Sequence, residues 1–160
     1  LLGVPYDLAS SFLRGAAEAP PLVRQALHSD ATNTWSESLV DVAGTDGLLD
    51  AGDVAIAGRD DAVRAIEGAV GPIAANGDTP ILIGGDHLDG IDPAFAPGVA
   101  HREPGGLTTR EVITLLHGLE GPIIGADIVE FNPRQDPHGL TAWVAAKLVK
   151  EIAGLVLRQG

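Results

Sequence analysis

Apolar residues recur along this chain with two periods, and each period predicts a different kind of element. Between Asp60 and Asn76 the positions Val63, Ile66, Val70, Ile73 and Ala74 share one helical face, with Asp60 and Asp61 at the positive end of the helix dipole. Leu140 to Leu157 predicts a second long helix, whose wide apolar face carries Trp143, Val144, Leu148, Ile152 and Leu155. A short helix is expected over Leu22 to His28, presenting Val23, Ala26 and Leu27, after a turn bracketed by Gly15 and the Pro20-Pro21 pair. Thr108 and Glu111 stand at capping-box spacing ahead of Val112, Ile113, Leu115 and Leu116, which predicts a helix ended by Gly118.

The remaining apolar runs are short and unbroken. Leu1 to Val4, Ile81 to Ile83 and Ile123 to Val129 predict strands buried on both faces, and Leu39 to Val42 is a further strand candidate. Ser29 to Ser38 and Gly44 to Asp53 read as connections. Strands that alternate with helices and are continuously apolar argue for an α/β fold, three layers with a mostly parallel sheet flanked by helices. Ligands of such sheets bind outside the carboxyl ends of the strands. Asp7, the Asp86-His87 pair and Glu130 lie at or just beyond those ends, so they are expected to converge on one sheet edge.

Composition narrows the partners. The chain has 160 residues, enough for one domain with a full core, and 22 acidic against 10 basic residues give a net charge of −12. That excess of negative charge disfavours nucleic acids and anionic membrane surfaces. No apolar run approaches the roughly 20 residues that span a bilayer, and no basic leader of a signal peptide is legible, so a cytoplasmic protein is expected. The absence of cysteine excludes disulfides and thiolate metal sites, leaving His, Asp and Glu as the available metal ligands. With no methionine and a start at Leu1, the chain is expected to be a fragment.

Candidate chemistry concentrates between Gly84 and Pro93, where Asp86, His87, Asp89 and Asp92 follow a buried strand. The segment reads either as a polar turn or as a metal site built from oxygen and imidazole ligands, and His87 and Asp89 would share one side of an extended chain. The loop from Phe95-Ala96-Pro97-Gly98 to Glu103-Pro104-Gly105-Gly106 is either a connection or a pocket wall carrying His101, Arg102 and Glu103. Glu130 is either a rim residue or the counter-ion of a cationic ligand. His28, His117 and His138 read as solvated or helix-terminal, and Arg14 as a loop lock. No nucleophile elbow, P-loop or dinucleotide fingerprint is present.

Four stretches together resemble the ureohydrolase family of arginases and agmatinases, most like its bacterial agmatinase-type members. They are Gly3-Val4-Pro5-Tyr6-Asp7 through Ser11-Phe12-Leu13-Arg14-Gly15, Ile83 to His87, Asp89 to Gly98 through Glu103 to Leu107, and Gly125-Ala126-Asp127-Ile128-Val129-Glu130 onward. The resemblance implies an arginase-like fold, a dinuclear Mn²⁺ centre that activates water, and hydrolysis of a guanidino compound such as agmatine to release urea. It implies that His87 and Asp89 are metal ligands, that Asp86 supports His87 from behind, and that Glu130 holds the guanidinium. His101 is the other substrate-binding candidate. A small cationic guanidino substrate and a homo-oligomer, trimer or hexamer, are the implied partners.

The chain also departs from the family. The block between the GGDH and DxD motifs, with its DAHxD motif, is absent, so residues 1–160 form one truncated domain lacking central elements, with a junction at His87-Leu88. Asp136-Pro137-His138-Gly139-Leu140 is the nearest approach to D-x-H-x-D and lacks the last carboxylate. Two expectations follow. Either the parent protein is a manganese-dependent hydrolase carrying a segment that this sequence omits, or the chain is a catalytically silent remnant acting as an oligomer partner or binding module.

Overall fold

A computed structural model of the chain describes residues 1–9, 12–43, 47–84 and 90–159. Its centre is a parallel sheet of three short strands, β1 (Leu2–Gly3), β2 (Ile81–Ile83) and β3 (Ala126–Ile128), in spatial order β1-β2-β3. Leu2 lies opposite Leu82, and Ile81 and Ile83 lie opposite Ala126 and Ile128. Side chains alternate across β2, so its unbroken apolar run serves two cores at once. Leu82 packs with Leu2, Val4 and Val54 against Ile66, Val70 and Ile73 of α2 (Ala62–Ala75).

On the opposite face, Ile83 joins Val23 and Leu27 of α1 (Ala19–Leu27) and Ala142, Ala145, Ala146 and Val149 of α4 (Leu140–Leu157). Alanines at this contact let the two helices approach closely. Complete burial of side chains such as Ile83 and Val149 contributes on the order of 2 kcal/mol each. The helix α3 (Thr109–His117) adds Leu116 to a second cluster with Val42, Ile81 and Ile152. Helices on both faces of a parallel sheet make the expected three layers.

The capping box forms as its spacing predicts. The Thr108 hydroxyl accepts from the Glu111 N–H, and the Glu111 carboxylate accepts from the Thr108 N–H. Three local expectations are corrected. Pro20 lies inside the first turn of α1 instead of marking a turn before it, because a first-turn residue has no N–H bond to lose. Leu39 to Val42 forms no strand: Leu39 has φ 62° and is 79% exposed, and a single bridge joins Trp35 to Asp41. The segment before it is fastened to α4, where the Lys150 ammonium donates to Thr32 Oγ1 and the Asn33 carbonyl. The third strand begins at Ala126, and Ile124 ahead of it is exposed.

Candidate functional site at the strand ends

The parallel strands carry their carboxyl ends to one edge, as the sequence predicts. The ladder runs one residue past β1 and β2 there, with Val4 N–H donating to the Ile83 carbonyl at 2.8 Å and Gly84 N–H to that of Ile128 at 2.9 Å. Gly84 has φ +105°, and a Cβ on it would lie 2.5 Å from the Val4 carbonyl oxygen, so only glycine leaves the strand here without strain. Asp86, His87 and Asp89, the implied metal residues, lie outside the described residues.

Glu130 is two residues beyond β3, buried, and in the left-handed region at φ 68°. For a side chain larger than glycine that conformation costs about 1–2 kcal/mol, and it persists only where the surroundings enforce it. Phe131 and Asn132, the next two residues, are both buried.

Asn132 is the knot of the site. Its N–H donates to the Gly98 carbonyl at 2.7 Å, its Nδ2 donates to the Leu13 carbonyl at 2.6 Å, and its Oδ1 accepts from Arg134 N–H at 3.1 Å. A Cβ on Gly15 would fall 2.1 Å from that Oδ1, which explains the glycine. Asp7 closes the same loop, its Oδ2 accepting from Gly15 N–H at 2.8 Å. Asn132 thus joins the loop after β1 to the loop after Pro97, immediately downstream of Glu130.

The loop from Gly90 to Leu107 is tied both within itself and to the segment after Glu130. Asp92 accepts from the N–H groups of Ala94 and Gly105 at 2.8 and 2.7 Å, and these bonds hold its carboxyl below the usual range. Arg102 donates to the carbonyls of Pro97 and Gln135. His101 is exposed and stacks on Phe12, ring centroids 5.5 Å apart and planes inclined by 27°. The sequence marked His101 on a pocket wall but gave no sign of its partner Phe12 or of Asn132, beyond the turn-forming Asn132-Pro133 dipeptide.

The incomplete D-x-H-x-D match has a structural role. Asp136 Oδ2 accepts from the N–H groups of Thr141 and Ala142, capping α4, and the Thr141 hydroxyl accepts from Gly98 N–H. Among the described residues no group of three or more His, Asp or Glu side chains is placed to hold a metal ion. Nor is any helix among them long and apolar enough to cross a membrane.

A three-layer parallel α/β fold whose strand-end loops are tied together by one buried asparagine defines a domain of the arginase type. The chain belongs to the arginase family, whose model matches residues 1–88 and 88–154. It is 57% identical over 70 residues to mitochondrial arginase 1 of Arabidopsis thaliana, a stretch covering 43% of this chain and 20% of that protein. It is 40% identical over 106 residues to the agmatinase of Enterobacter sp. (strain 638), covering 66% of this chain and 32% of that one. The chain therefore spans between about a fifth and a third of these curated relatives. The agmatine ureohydrolase of Thermoplasma volcanium superposes with a TM-score of 0.87 at 21% identity, covering 98% and 89% of the two chains. A Trypanosoma cruzi formiminoglutamase with Mn²⁺ superposes with a TM-score of 0.80 at 16% identity, covering 97% and 91%. These two show the shared fold.

Proposed function

We propose that the whole protein performs manganese-dependent hydrolysis of a guanidino compound, agmatine-like and cationic, releasing urea, with Glu130 receiving the guanidinium. The observation that carries this reading is Glu130 itself, a buried carboxylate held in a strained conformation at the carboxyl edge of a family-typical sheet. A carboxylate of this kind matches a planar guanidinium, which donates two parallel hydrogen bonds. The net charge of −12 favours approach of a cationic substrate. A homo-oligomer, trimer or hexamer, is part of the same reading, supported by the exposed apolar side chains Leu115, Leu119 and Ile124.

Manganese, when bound, would supply an activated water to the guanidinium carbon. His87 and Asp89 are fewer ligands than a bridged pair of ions needs, and the described residues add no cluster to complete the set. The task assigned to this chain's own residues is therefore binding and orientation: Glu130 holds the cation, and Asn132 fixes the loops around it.

The family match consists of two blocks that meet at residue 88. This supports a parent protein with a further block between them, and equally a remnant that binds without turnover. Intact mass and a urea assay with added Mn²⁺, over agmatine, arginine and 4-guanidinobutyrate, separate the two. A mass above that of the 160-residue chain together with urea release supports the hydrolase. The 160-residue mass with no release from any of the three overturns it in favour of a silent binding module.

A further inference from the structure

We propose that the stacked Phe12 and His101 rings form the wall that recognises the aliphatic spacer of the guanidino compound, an assignment that rests on the guanidino reading of Glu130. The two rings are far apart in sequence and meet at 5.5 Å, with Asn132 bonded to both of their loops. Asn132 is two residues from Glu130, so the same segment that presents the carboxylate sets the position of the ring pair.

Both rings face solvent, Phe12 with 53% of its surface, and Leu13 beside it is 43% exposed. A single exposed apolar side chain is ordinary, but here one buried asparagine, two residues from Glu130, ties together the two loops that carry the rings. Arg102, bonded to the carbonyls of Pro97 and Gln135, and Asp92, bonded across to Gly105, stiffen the loop that carries His101. A methylene chain extending from a guanidinium at Glu130 is the part of such a ligand that gains from apolar contact, at about 0.8 kcal/mol for each fully buried CH₂.

The test is an NMR titration of the purified 160-residue chain, following the His101 ring resonances, with agmatine and with methylguanidine, which lacks the spacer. Agmatine is expected to bind about tenfold more tightly than methylguanidine and to shift the His101 ring signals, as partial burial of its methylenes requires. Phe12→Ala and His101→Ala should each remove most of that preference, lowering agmatine affinity far more than methylguanidine affinity. Glu130→Gln should weaken both ligands alike. If Glu130→Gln weakens both while the two ring variants leave the preference intact, the wall is overturned and the guanidino reading stands. If neither ligand binds the unmodified chain, the guanidino reading is overturned and the wall with it.

Discussion

The side-chain amide of Asn132 donates to the carbonyl of Leu13 at 2.6 Å while its backbone N–H donates to Gly98 at 2.7 Å, so one buried residue fixes two loops. Replacing it by alanine leaves buried polar groups without partners, a loss of about 1–3 kcal/mol. Asn132→Ala should lower the urea midpoint accordingly and also remove the ring-current shift of Phe12 on His101. Retention of that shift would show that the loops hold each other without Asn132.

Two glycines with nearly the same backbone angle provide an internal comparison. Gly84, at φ +105°, has the Val4 carbonyl oxygen 2.5 Å from where its Cβ would stand, whereas Gly105, at φ +102°, has open space there. Gly105→Ala should cost about 1–2 kcal/mol from conformation alone. Gly84→Ala should cost clearly more in the same denaturation assay, because β1 must also move. Equal losses would remove the assigned role of that close approach.

Acid should loosen the attachment of α3 and the loop at Glu37 to α4. Arg110 donates two hydrogen bonds to Glu37 and holds its carboxyl at about 2, with Lys147 assisting. Burial alone would raise Glu151, but bonds from Lys147, the Glu37 N–H and His117 more than offset it, leaving it below the ordinary 4.5. Both folded values lie below the unfolded one, so the stabilisation is complete above about pH 4.5 and is lost as pH falls toward 2. Thermal melts between pH 7 and 3 should show that decline, and Glu151→Gln should flatten it. Glu151→Ala, which strips a fully buried partner from Lys147 and His117, should cost about 3 kcal/mol at neutral pH.

The capping box gives a smaller and more local expectation. Thr108→Ala removes the oxygen that accepts from Glu111 N–H and should destabilise by about 1 kcal/mol. Amide exchange should accelerate first in the opening turn of α3. Uniform acceleration across α4 as well would indicate that the two helices open as one unit.

The elements best read from the sequence are those whose signals are local. The Thr108–Glu111 pair, the period of α2 and the unbroken run of β2 each report on a few neighbouring residues, and each produces the element it implies. Leu39 to Val42 misleads because its apolar residues do not share one environment: Leu39 is exposed while Val42 is buried, and the segment before them is fixed from afar, by Lys150 at Thr32 and Glu151 at Glu37. The site divides in the same way. Glu130 is legible as a charge closing an apolar strand, but its left-handed backbone is not. Asn132 and Phe12 matter through contacts with Leu13, Gly98 and His101, and no spacing rule connects those positions.

Strand β2 is hydrogen-bonded to β1 on one side and to β3 on the other, while α1 packs on α4. Strand β2 and helix α1, both N-terminal to Gly84, are thereby docked on β3 and α4, both C-terminal to Gly90. Made as two separate polypeptides, residues 1–84 and 90–159, each half would leave open the surface that the other closes. The two parts are thus complementary halves of one fold, and they should reassemble in trans when mixed.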